Sequence, residues 1–223
     1  MRFVWALMIW CCAVQAQAGA WPREQGGVFI ALSQDATQQK LYAEYGARND
    51  WTMGGEVTMP KGRRLPDVSQ FAHYPVWRGK GGAILSLGIA GDLREAAAAT
   101  VDPLYDGVAE MTVRLGAFWG KGFQTGLGDG WATVDVQVER IVSTNWVNTG
   151  LAYKVDAGLG LKPIKQVMIT AQAQYWRRDD DQFLRLEGGA ALSLGPAKLV
   201  VQPSIGVIGP KDGRVKMALW LEF

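Results

Sequence analysis

Apolar and polar residues alternate along most of this chain. The clearest case is its end, VKMALWLEF, where Val215, Met217, Leu219, Leu221 and Phe223 take every second position. Lys216, Ala218, Trp220 and Glu222 fall between them. A period of two marks a strand whose two faces meet different surroundings. The same reading applies to residues 26–33, 40–46, 51–59, 68–77, 82–90, 108–119, 131–141, 150–161, 167–177, 183–194 and 198–208. Pro75 interrupts 68–77 and makes it the weakest segment. Helical periodicity is nearly absent: LREAAAAT (93–100) would form a turn or two within a loop. Most segments run to about 9–12 residues, the length a tilted strand needs to cross a bilayer.

The connections alternate in length. With both termini on one side, the near side receives Ala47–Asp50, Gly79–Gly81, Lys162–Lys165 and Gly195–Ala197, all short. The far side receives SQDATQQ, Met59–Asp67, the long Gly91–Gly107 and Arg178–Gln182. The stretch GKGFQTGLGDG (120–130) reads as a longer near-side connection and breaks the rule. Short turns at one end and longer loops at the other suit an outer-membrane barrel.

Alternation alone does not say which face meets water. Three features favour lipid on the apolar side. Trp51, Trp119, Tyr153 and Tyr175 lie on apolar faces near strand ends, where interfacial aromatics belong. The opposite faces carry charge of both signs, glycine and threonine. The chain closes on a strand ending in Phe, which resembles the terminal recognition signal of bacterial outer-membrane barrels. That resemblance implies that Leu219, Leu221 and Phe223 are read by the barrel assembly machinery. The expected fold is all-β: a transmembrane antiparallel up-and-down barrel of about twelve strands, with ten the alternative. Backbone groups in lipid must be satisfied internally, so segment 26–33 must pair with 214–223.

The chain opens MRFVWALMIWCCAVQAQA, with Arg2, an apolar run and Ala16-Gln17-Ala18. This predicts a cleaved signal peptide over 1–18 and a barrel over 19–223, located in the cell outer membrane. Cys11 and Cys12 are the only cysteines, so the barrel has no disulfide or thiolate metal site. A net charge of +2 gives no reason to expect a nucleic-acid partner. The partners expected are outer-membrane lipid and lipopolysaccharide, with the oligomeric state left open.

YAEYGARNDWTMGGEV (42–57) and the closing MALWLEF resemble segments of outer-membrane proteins grouped as phenol meta-pathway components. The resemblance covers about a fifth of the chain. It implies a barrel that passes small hydrophobic or aromatic compounds, and it assigns no catalytic residue.

The inward register singles out Glu110, Arg114, Asp135, Glu139, Lys154, Asp156, Arg185 and Glu187 as lumen charges that set selectivity, with Trp176 and Trp220 beside them. Tyr42 and Phe118 share that face, as do Gly54, Gly88, Gly116, Gly158, Gly160 and Gly206, which either leave space or let the wall curve. An ion pair between Lys154 and Glu139 would block or line the bore. No cofactor or metal is expected. His73 is the only histidine and has no motif around it, so a His-based metal site is out. GKGFQTG lacks the Lys placement and following helix of a phosphate loop. Arg177-Arg178-Asp179-Asp180-Asp181 reads as a solvated loop tip, or as a contact for divalent ions at lipopolysaccharide.

The function expected is a narrow channel for small solutes, amphipathic or aromatic ones included, with loop 91–107 folding over the mouth. The alternative is a closed structural barrel whose loops bind lipopolysaccharide or a partner protein. Behind both stand a lipid hydrolase using His73 and a soluble secreted barrel.

Overall fold

The computed structural model describes residues 19–95, 109–143 and 150–223. The expected signal segment and residues 96–108 of the long loop lie outside them. Twelve antiparallel strands close into one barrel, each paired with its neighbours in sequence. They are β1 (Val28–Gln34), β2 (Gln38–Gly46), β3 (Thr52–Pro60), β4 (Asp67–Arg78), β5 (Ile84–Glu95) and β6 (Ala109–Thr125). β7 (Gly128–Ser143), β8 (Leu151–Ile164), β9 (Val167–Arg178), β10 (Asp181–Leu194), β11 (Ala197–Ile208) and β12 (Gly213–Glu222) complete the circuit. Every alternating segment of the sequence is a strand.

The seam forms as backbone physics demands. β1 pairs with β12 from Phe29↔Glu222 to Gln34↔Met217. Phe223 extends it: its N–H donates to the Val28 carbonyl at 3.0 Å, and the Val28 N–H donates back at 3.0 Å. The final aromatic residue therefore completes the hydrogen-bonded ring.

Four features correct the sequence reading. The stretch 120–130 is not a loop. β6 and β7 stay paired to Thr125↔Gly128, leaving Gly126 and Leu127 as the turn. Its glycines break the apolar rhythm but leave the backbone ladder intact, because a ladder needs N–H and C=O groups rather than side chains. All near-end turns are thus short. At the far end, Gly91–Glu95 belong to β5, which shortens the expected mouth loop. Leu93 to Glu95, expected to begin a helical turn, are strand. Pro75 does not end β4; the register shifts between Pro75 and Trp77, and a bulge absorbs the missing donor. Asn49 and Asp50 turn β2 into β3 with φ of 58° and 62°, the left-handed region those residues tolerate.

The two faces sort cleanly. Outward positions are apolar and bare: Leu115 is 60 % exposed, Leu159 58 %, Ile205 56 % and Val215 55 %. In water so continuous an apolar belt would aggregate. In hydrocarbon each such side chain contributes about 1.5–3 kcal/mol. Trp51, Tyr74, Trp77, Tyr45 and Phe223 are exposed on the outer wall near the short-turn end, with the Trp51 and Tyr74 rings 5.2 Å apart. Tyr153 sits outside at the far end. No helix among the described residues is long and apolar enough to cross a membrane; the strands are the elements suited to it.

Candidate functional site: the lumen

The pleat aims alternate side chains of all strands into the bore, so the lumen is built from the polar half of the sequence pattern. A cavity of about 390 Å³ occupies its middle. A second, about 270 Å³, lies toward the far mouth and shares Lys40, Glu56, Ser69 and Arg114 with the first.

The expected lumen charges all face inward, and most are paired. Arg114 donates to Asp92 at 2.6 Å and Ser69 at 2.9 Å, and reaches the Gln137 amide oxygen at 3.4 Å. Glu110 holds Arg94 at 2.9 Å. Arg185 donates to Asp212 at 2.6 Å and to Ser204 at 3.0 Å. Glu187 accepts from Gln202 at 2.6 Å and pairs with Lys216 at 3.3 Å. Asp135 and Asp156 stand opposite each other on β7 and β8. The expected Lys154–Glu139 pair does not form. Lys154 lies opposite Gln137 and bonds Asp156 at 2.9 Å, two residues along its own strand. Glu139 instead accepts from the Trp176 indole at 3.2 Å. Adjacent strands alone do not fix a pair; the register does.

Aromatic side chains pave one half of the wall. Trp220 meets Phe29 edge-on at 6.2 Å, and Phe29 meets Tyr42 at 6.0 Å. Tyr42 stacks on Phe71 at 5.6 Å, Phe71 on His73 at 6.4 Å, and His73 meets Phe118 at 6.1 Å. Trp176 stands apart, under the Arg178 guanidinium at 5.5 Å. The inward glycines explain how rings fit without filling the bore. A Cβ at Gly54 would lie 2.3 Å from the Phe71 ring, one at Gly116 2.6 Å from Phe118, and one at Gly160 1.9 Å from Trp131. Phe71 and Trp131 each lie down on a glycine of a neighbouring strand, and Phe118 lies on Gly116 of its own strand and Gly88 of β5. The other half of the wall carries Asp135, Gln137, Lys154, Asp156, Gln174 and Thr170.

His73 is buried in this pavement at 4 % exposure, and neither ring nitrogen has a hydrogen-bond partner among the described residues. No hydroxyl among the described residues lies within hydrogen-bond reach of it. No cluster of three or more metal-ligating side chains occurs among the described residues. The GKGFQTG glycines belong to the β6–β7 hairpin. Asp179 and Asp180 form the β9–β10 turn, where Arg177 donates to the Asp179 carbonyl at 3.2 Å. At the β11–β12 turn, hydrogen bonds from Arg214 and then Arg185 hold the Asp212 carboxyl below its ordinary value.

Sequence reasoning missed two parts of the lumen. Phe29 sits in the unbroken apolar run VFIAL, where no period tells inside from outside. Residues 19–27, GAWPREQGG, carry no period at all, yet their first part, through Arg23, folds into the near end of the bore.

Among solved structures the chain is similar to the KdgM porin, with a TM-score of 0.61 and 10 % identity over 88 % of this chain and 99 % of that one. The fold is that of a porin barrel. The NanC porin gives a TM-score of 0.59 and 10 % identity over 88 % of this chain and 98 % of that one. At such identity the likeness concerns the fold. No protein-family model and no curated relative matches the chain. The resemblance to phenol meta-pathway components gains no support from these comparisons.

Proposed function

We propose that this protein is an outer-membrane channel for small solutes, with its short turns in the periplasm and its longer loops outside. The observation that carries the reading is a polar, cavity-bearing lumen wrapped in a bare apolar wall. The KdgM and NanC likeness supports it, since both are porins. The two-sided wall suits amphipathic or aromatic solutes. A ring or apolar face stacks on Phe71, Tyr42 and Phe118, while hydrogen-bonding edges meet Gln137, Gln174 and Lys154. Selectivity resides in Glu110, Arg114, Asp135, Glu139, Lys154, Asp156, Arg185 and Glu187, and in the indoles of Trp176 and Trp220. Lipopolysaccharide surrounds the far mouth, and the assembly machinery reads Leu219, Leu221 and Phe223 during insertion.

Planar-bilayer recordings of folded, heat-shiftable protein test the reading. Discrete conductance steps are expected. The variants Arg185→Glu and Glu187→Arg should move the reversal potential in opposite directions, the first toward cations. A bilayer that stays silent for every variant, including those opened at the near end below, would refute the channel.

One observation favours a second reading, a closed structural barrel with binding loops. The bore narrows toward its near end: Trp131, Met168, Ala191, Val200 and Ala218 form a buried apolar cluster there, with Trp21 and Trp220 against it.

A further inference from the structure

The near end of the lumen is closed by a piece of chain that belongs to no strand. Before β1 the backbone turns at Gly26, with φ of 84°, and Gly27 N–H donates to the Glu24 carbonyl at 2.9 Å. This turn sends residues 19–24 back into the bore. It is anchored to β2: Gly26 N–H donates to the Gly46 carbonyl at 2.8 Å, and Gly46 N–H to that of Gly27 at 2.9 Å. The fit requires glycine at 46, where a Cβ would lie 1.9 Å from the Glu24 carbonyl oxygen.

Inside the bore the segment is held by specific groups. The Ala20 carbonyl accepts from Ser86 at 2.5 Å, and both residues are fully buried. Arg23 N–H donates to Thr52 Oγ1 at 2.8 Å. The Arg23 guanidinium bonds Glu44, reaches Glu222 at 3.3 Å and lies 4.5 Å above the Phe29 ring. Trp21 lies over Gly120, where a Cβ would be 2.3 Å from its indole, and packs on the apolar cluster.

We propose that Trp21 and Arg23, carried on this segment, determine passage through the channel. The strand charges of the mid-lumen screen a solute, but the segment bars its exit. Its chemistry fits a removable obstruction better than a wall. It forms no ladder beyond the turn, so withdrawing it breaks side-chain contacts and leaves every barrel strand paired. Its ion pairs join Arg23 to carboxylates on β2 and β12, at the seam. A solute that competes for Glu44 and Glu222, or for the Phe29 ring, would loosen it. This inference rests on the channel reading and extends it to where and how the bore opens.

The test compares single-channel recordings of the parent with a deletion of residues 19–24. A second variant, Trp21→Ser with Arg23→Gln, leaves the chain length and all strands intact if the deletion fails to fold. Folding is checked by the gel shift on heating. The expected result is a several-fold rise in conductance or open fraction in both variants. A conducting parent whose folded variants behave identically to it would overturn the role of the segment and leave the channel standing. Silence of parent and folded variants alike would overturn the channel, and this inference with it.

Discussion

Replacing Gly160 by alanine should damage this barrel more than its chemistry suggests. The new Cβ would lie 1.9, 2.2 and 2.3 Å from three indole atoms of Trp131, against ordinary contacts of 3.4–4 Å. The shortfall is about 1.5 Å, so the rigid indole or the strands beside it must shift. Trp131 is 5 % exposed and enclosed by Met168, Ala191, Val200 and Ala218. Overpacking of this kind costs about 1–3 kcal/mol. Removing a glycine from the unfolded chain offsets about 0.4–1 kcal/mol of that. The net expectation is a loss of about 1–2 kcal/mol. Equilibrium urea unfolding in lipid vesicles, followed by the gel shift of the folded form, measures it. Gly188→Ala is the control, because nothing lies within 4 Å of the added atom. The control should hold its midpoint or gain slightly. If Gly160→Ala matches the control, the glycines are not ring seats and the packed near end is wrong.

Three further outcomes follow from the geometry. Phe223→Ala keeps the two backbone bonds to Val28, so refolded protein should stay within about 1 kcal/mol of the parent, while folded yield in cells drops severalfold; equal yields would remove the assembly role. Leu115→Arg places a charge on the lipid wall and should cost about 2–4 kcal/mol in vesicle unfolding, whereas Gln137→Arg, in the lumen, should cost far less. Asp212 has a folded pKa below its ordinary 3.8, so its contribution is present above that value and fades as pH falls through the depressed one. The gap in urea midpoint between the parent and Asp212→Asn should therefore close only at pH below 3.8; a gap that closes near neutral pH would contradict the Arg214 and Arg185 contacts.

Strand number, order and closure were legible because a period of two survives wherever the two faces meet different media. WATVDVQVERI is the plain case: Asp135, Gln137 and Glu139 face in, Val134, Val136 and Val138 face out. Legibility failed where the pattern lost contrast. VFIAL hides the inward Phe29, and the glycines of 120–130 mimic a loop although the ladder runs through them. Ion pairs were only partly legible, since Lys154 had two carboxylates within reach and only the register, with Gln137 opposite, decides for Asp156. The segment at 19–24 was invisible because what holds it, Glu44, Thr52, Ser86 and Glu222, is scattered over four strands.

The central claim is that the apolar face meets lipid and the charged face encloses water. Single cysteines at Leu115 and Gln174 test it directly, in protein otherwise free of cysteine and reconstituted in vesicles. Each is labelled with an environment-sensitive fluorophore and challenged with a quencher attached to lipid tails and with a water-soluble one. The account expects the label at 115 to be quenched from the lipid and the label at 174 only from water. Equal quenching of both from water, with none from lipid, would mean a soluble barrel and contradict the account.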